Sequence, residues 1–77
     1  MKDVVEVIVC SLVDDPDAVD VAEVQGRPGT VTIHVEVAPG DMGKVIGRQG
    51  RIAGAIRTVA NAAAAKYDLR AVVDFGS

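Results

Sequence analysis

The most regular pattern in the chain is an alternation over Thr30–Val37. Val31, Ile33, Val35 and Val37 fall on one side, and Thr32, His34 and Glu36 on the other. A period of two puts successive side chains on opposite faces of a pleated backbone, so the run predicts a strand with one buried face. Ala18–Gln25 predicts a partner strand of less regular alternation, and Gly26-Arg27-Pro28-Gly29 between them is a turn. Together they predict an antiparallel hairpin. Ahead of it the period changes. Val5, Ile8, Val9, Leu12 and Val13 recur at helical spacing, which predicts a helix over Asp3–Val13 despite its β-branched valines. Asp3, with Glu6 three residues on, has a capping-box arrangement. Asp14-Asp15-Pro16 ends the helix, because proline disfavours helical geometry in the residue before it.

Beyond the hairpin, Pro39-Gly40 breaks the strand and Asp41 is placed to cap a short helix, Met42 to Ile46. A turn at Gly47–Gly50 interrupts it. A second helix runs from Arg51 to Lys66, with Ile52, Ile56, Val59, Ala60 and Ala63 on one stripe. Arg70–Phe75 closes the chain as a strand, apolar in Val72, Val73 and Phe75. The expected fold is α+β, of order α-β-β-α-α-β, with a three-stranded sheet packed on helices. Residues 1–77 are expected to form a single domain, without internal repeat or linker.

Seventy-seven residues give a thin core, which self-association would reinforce. The net charge of −3 argues against a polyanionic partner until its distribution is considered. Met1–Gly43 holds two cations against nine acids, whereas Lys44–Arg70 holds six cations against Asp68 alone. Local charge governs phosphate binding, and the basic stretch surrounds the glycine turn. Cys10 is the single cysteine, so no internal disulfide can form; a small buried thiol in a reducing, cytoplasmic setting is the expectation. The apolar Val4–Val13 run is too short for a membrane span.

In Val45-Ile46-Gly47-Arg48-Gln49-Gly50-Arg51, two glycines flank a cation and an amide at the start of a helix. Glycine leaves backbone bare to a ligand, and a helix N-terminus offers unpaired N–H groups and a positive dipole end. Arg48 can pair with a phosphate and Gln49 can bond phosphate or sugar oxygens, while Lys44 and Arg51 flank the turn. These residue types suit a clamp on a phosphate chain. Catalysis is not expected: no nucleophile–base pair stands out. Gly43-Lys44 lacks the glycine spacing and following hydroxyl of a nucleotide-hydrolase phosphate loop. His34 and Cys10 alone cannot hold zinc, and Asp14, Asp15, Asp17 and Asp20 lack calcium-loop spacing and suggest a solvated acidic bend. No cofactor, metal or small-molecule substrate is expected.

The run Gly43-Lys44-Val45-Ile46-Gly47-Arg48-Gln49-Gly50-Arg51-Ile52, with Ile56 one helical turn on, resembles the KH family of single-stranded RNA-binding domains. The whole chain looks like the small bacterial one-domain KH proteins of the KhpA family. That resemblance implies RNA binding, self-association as a homodimer, and pairing with a larger KH-containing partner, KhpB. It implies a low-specificity RNA chaperone or post-transcriptional regulator in which a Gly-x-x-Gly loop clamps backbone beside an apolar groove. Only one strand fits after the second helix, so the order is the type II one. By the same resemblance Gly47, Arg48, Gln49 and Gly50 are the clamp, and Lys44 and Arg51 steer the backbone. Gly43 keeps the short helix thin where a base or a neighbouring helix must approach. Of Val45 and Ile46, one lines the groove and the other faces the core; Ile52 and Ile56 are assigned to the core. The hairpin has no aromatic residue on which bases could stack, so weak sequence preference is expected.

A second surface is expected on the long helix, where Gly54, Ala55, Thr58, Ala62 and Ala65 cluster away from the Ile52–Ile56 stripe. Small side chains let another helix approach closely, which suits a dimer contact, although alanine also simply favours helix. The alternative function is thus a protein-interaction or dimerisation module with secondary binding of RNA or single-stranded DNA.

Overall fold

The computed structural model describes residues 1–76. Helix α1 spans Lys2–Leu12, β1 Asp20–Gln25, β2 Thr30–Glu36, α2 Met42–Ile46, α3 Arg51–Ala65 and β3 Arg70–Phe75. Short 3-10 turns at Pro16–Ala18, Pro39–Asp41 and Arg48–Gly50 join them. This is the expected order. The strands form one sheet with β2 in the centre. β1 pairs with it antiparallel, Val21 opposite Val35, and β3 pairs parallel, Ile33 opposite Val73. A hairpin cannot join parallel strands, so the chain must cross over the sheet between β2 and β3. The α2–turn–α3 segment is that crossover, which places the Gly47–Gly50 turn at its midpoint.

The alternation over β2 becomes the floor of the core: Val31, Ile33 and Val35 are buried, and His34 and Glu36 are exposed. Val5 and Val9 of α1, Val45 of α2, and Ile56, Ala60 and Ala64 of α3 cover them. Each large aliphatic side chain removed from water here stabilises the fold by about 1.5–3 kcal/mol.

Several local expectations shift. α1 begins at Lys2, with Met1 as its N-cap and no side-chain cap bond, so Asp3 lies inside the first turn. There its charge favours the positive end of the helix dipole without capping it. β1 starts at Asp20, because Pro16–Ala18 winds into a 3-10 turn first. In β3 it is Ala71 and Val73 that face the core, and Val72 is exposed. The buried stripe of α3 is Ala53, Ile56, Ala60 and Ala64, rotated from the expected one. Three of these four are alanines, whose small side chains let the helix lie close against the sheet. The larger Ile52 and Val59 turn toward α1 instead. Ile52 is therefore only partly buried and Val59 is exposed, while Ile56 does reach the core. Cys10 is half-buried, less enclosed than its apolar neighbours suggest.

One helix-to-strand contact bears on the rest. The Asn61 side-chain amide donates to the Ala71 carbonyl and its oxygen accepts from the Ala71 N–H, both at 3.0 Å. One turn earlier, Arg57 Nε donates to the Val73 carbonyl at 3.3 Å. α3 thus satisfies backbone groups along the outer side of β3. Among the described residues no helix is long and apolar enough to cross a membrane.

Candidate nucleic-acid interface

The turn is held by backbone geometry that favours glycine at both of its ends. Gly47 has φ 76° and ends α2, its N–H donating to the Gly43 carbonyl at 2.9 Å. A Cβ at Gly47 would lie 2.7 Å from Ile52 Cγ1, inside van der Waals contact. Gly50 has φ 73° and its N–H donates to the Gly47 carbonyl at 3.2 Å, but a Cβ there would meet nothing within 4 Å. The amides of both glycines are therefore spent on closing the turn. Neither glycine N–H is left unpaired, so the bare backbone expected here offers open space rather than free donors at these two positions. Between them Gln49 also takes a left-handed conformation, φ 58°, uncommon outside glycine.

Gly50 is the N-cap of α3, and no side chain caps that end. The Arg51 N–H bonds back to the Arg48 carbonyl, but the terminus still carries the positive end of the helix dipole, which favours an anion there. Arg48 and Arg51 stand beside it, exposed and without an ion pair among the described residues. Gln49 is exposed too.

Lys44 is different. Its ammonium pairs with the Asp14 carboxylate and, at 3.3 Å, with Oδ1 of Asp41. Asp41 is the N-cap residue of α2, as expected, but its side chain makes no cap bond. The carboxylate turns away and accepts the backbone N–H groups of Asp14 and Asp15, at 3.2 and 3.1 Å. It is 4% exposed, the one buried charged residue among the described residues. Burial alone would push its carboxyl up, but the two amides and the Lys44 ammonium outweigh that and hold it below the ordinary carboxylate value. The hydrogen bonds to Asp14 and Asp41 push the Lys44 ammonium up in turn. The segment after α1 is thus tied to the start of α2. Asp14 and Asp15 are part of this latch and not merely a solvated bend. No spacing rule connects residues 14 and 41, so sequence reasoning missed it.

The remaining assignments sort cleanly by burial. Val45 is fully buried and is the one of the two that faces the core; Ile46 is partly buried and packs against that core. Gly43 is exposed and no neighbouring helix approaches it, since an added Cβ would meet nothing within 4 Å. Beside α2 and the ends of β2 and β3 lies an open depression of about 430 Å³ lined by Glu36, Val37, Pro39, Met42 and Gly76. On the second surface, Ala55, Thr58, Ala62 and Ala65 are exposed and Gly54 is half-buried. The Thr58 hydroxyl donates to the Gly54 carbonyl at 3.0 Å. Next to it Ile8 and Leu12 of α1 and Ile52, Ala55 and Val59 of α3 line an apolar groove of about 370 Å³.

A three-stranded sheet covered by helices on one face, with a Gly-x-x-Gly turn in the crossover between parallel strands, defines a KH domain of the αββααβ order. Comparison with known proteins carries this to the family. The family model described as "KhpA/KhpB, KH domain" matches residues 2–75, and the chain belongs to that family. It is similar to the RNA-binding protein KhpA of Clostridium acetobutylicum, 57% identical over 74 residues that cover 96% of this chain and 97% of the relative. It is also similar to the RNA-binding proteins KhpA of Caldanaerobacter subterraneus and Aquifex aeolicus, at 53% and 46% identity over 96% of this chain, covering 97% and 92% of those relatives. No solved structure gives a significant match.

Proposed function

We propose that the chain, acting as one KH domain, is a single-stranded RNA-binding protein that grips the phosphate backbone at the Gly47–Gly50 turn. The observation that carries this reading is the uncapped N-terminus of α3 meeting Arg48 and Arg51, two exposed cations with no acidic partner among the described residues. Gly43, Ile46 and Gln49 belong to the same surface. Val45 holds it from the core and Lys44 from the latch. The names of the relatives support RNA as the ligand. On this reading the protein binds and does not catalyse. It serves in the cytoplasm as a low-specificity RNA chaperone or post-transcriptional regulator, alone or with a KhpB-like partner.

A second reading rests on the α1–α3 groove. Val59 is 42% exposed at its rim, and the small residues Ala55, Thr58, Ala62 and Ala65 continue the surface along α3. Burying this face against a second copy, or a related KH domain, would extend a thin core. Arg51 lies at the rim of this groove as well as beside the turn, so the two surfaces meet there.

The deciding experiment is the double replacement Arg48→Asp with Gln49→Asp. Two carboxylates at the turn repel phosphates but touch no core residue. Folding by circular dichroism and sedimentation behaviour are expected to be unchanged, and binding to single-stranded RNA oligomers to be lost. Undiminished RNA binding by the double variant would sink the clamp. Parallel titrations with DNA oligomers of the same sequence establish whether the 2′-hydroxyl matters.

A further inference from the structure

A cation outside the clamp has a fixed geometry that the clamp does not use. Arg57 lies on α3 about 10 Å along the helix axis from Gly50. Its Nε donates to the Val73 carbonyl at 3.3 Å, and its guanidinium carbon sits over the Phe75 ring, 5.2 Å from the centroid. The two contacts hold the guanidinium plane from one edge and one face. No acidic side chain pairs with it among the described residues, and the residue is exposed. Two N–H groups, one from each terminal nitrogen, form the fork at the far end, and no partner for either is found among the described residues. A planar fork held in advance loses little rotamer freedom on binding, unlike a mobile lysine.

The path from the turn to this fork is clear. Gly50, Gly54, Arg57 and Asn61 follow each other at spacings of four, three and four, so they share one face of α3. Gly54 carries no side chain, and a Cβ there would meet nothing within 4 Å. That face borders β3, and Gly76 just after β3 reaches α2, since a Cβ there would lie 2.9 Å from Met42 Cε. A strand gripped by phosphates at Gly47–Gly50 can therefore lay a base across Gly54 toward Arg57. Gly54 then belongs to this track and not to the self-association face.

We propose that Arg57 is a specificity-determining residue of the RNA interface, whose terminal fork recognises the O6 and N7 acceptors of a guanine placed beside the Gly-x-x-Gly clamp. Two parallel N–H donors match two adjacent acceptors, and guanine is the base that offers them on its Hoogsteen edge. The inference rests on the clamp reading above. The sequence offered no pointer to it, because Arg57 gains its meaning from Val73 and Phe75, both on another element.

The test uses a uridine-rich single-stranded RNA oligomer carrying one guanine, adenine, inosine or 7-deazaguanine, titrated by fluorescence anisotropy at fixed salt. The wild-type chain is expected to favour guanine over adenine by about tenfold, the order a bidentate pair supplies. Inosine, which keeps O6 and N7, should bind like guanine, and 7-deazaguanine, which lacks N7, like adenine. Arg57→Lys keeps the charge but not the fork, so its affinities should converge on the adenine value with the fold retained and the salt slope unchanged. Equal wild-type affinity for guanine and 7-deazaguanine overturns the assignment. So does an Arg57→Lys loss that is uniform over all four oligomers, which marks a phosphate contact. Failure of the clamp itself shows differently: the Arg48→Asp, Gln49→Asp variant would then bind every oligomer as the wild type does.

Discussion

The two glycines of the turn look equivalent in sequence and are not equivalent in space. Gly47 is hemmed in: it ends α2, its φ is 76°, and Ile52 occupies the room a side chain would need. Gly50 is open: its φ is 73°, but space around it is empty and it starts α3. The Gly47 side is backed by the Asp41 latch and the buried Val45. The Gly50 side faces solvent with Arg48 and Arg51. One end of the turn is enclosed by the fold, and the other is open to solvent. The same division separates the cations, since Lys44 is neutralised within the chain while the two arginines are not.

The contrast breaks most sharply by adding a methyl group at each end. Gly47→Ala combines a positive φ with a close contact, costing about 2–5 kcal/mol in urea unfolding. Gly50→Ala keeps only the backbone cost, about 1 kcal/mol. Equal losses would show that the two ends are not different. Next in size is the cation series, read in RNA affinity against salt. Arg48→Ala should weaken binding severalfold and flatten the slope of log K on log salt by about 0.7, the value for one phosphate contact on a single strand. Lys44→Ala should change the slope less, because that ammonium is already paired.

A subtler version frees Lys44 instead of removing it. Asp14→Asn takes away one of its carboxylates, so affinity at low salt should rise and the slope should steepen toward that of one further phosphate. A variant that binds no better than wild type would mean that Lys44 does not face RNA in either state. The smallest effect is on pH. Asp41 titrates lower in the folded chain than its ordinary value of 3.8, so its contribution to stability is present above that value and fades as pH falls through the lower, folded one. Lys44 titrates above its ordinary 10.5, so its contribution is intact below that and fades as pH rises past it. Asp41→Asn should remove the Asp41 part of the acid limb in melting temperature against pH, leaving the alkaline limb smaller but present.

How much of this was legible in the sequence depends on the range of the interaction. The alternation in β2, the Gly-x-x-Gly turn and the order of elements depend on neighbours within a few residues, and they stand as expected. The strand facing of Val72, the rotation of α3 and the partners of Asp41 depend on contacts far along the chain. Val72 and Val73 are alike in hydrophobicity, and only the register against β2 decides which is buried. Ile52 and Val59 outrank Ala53 and Ala60 on any hydrophobic scale, yet the alanines take the core because the sheet leaves little room beneath α3. At the candidate site the residues of the Gly-x-x-Gly turn were visible as a motif. Lys44 was visible as a charge, but its pairing with residues 14 and 41 was not.

The bond pair between Asn61 and Ala71 has a consequence for what the protein avoids becoming. An unpaired strand rim is a template on which another chain can be added, and proteins that leave one bare risk fibrous assembly. Asn61 presents an amide to β3 much as a neighbouring strand would, and Arg57 continues the cover to Val73. Growth of the sheet past β3 must first displace α3. The opposite rim, on β1, is guarded by another means: it is short and carries Asp20 and Glu23. One rim covered by side chains and the other carrying charge disfavour polymerisation of the protein through its own backbone.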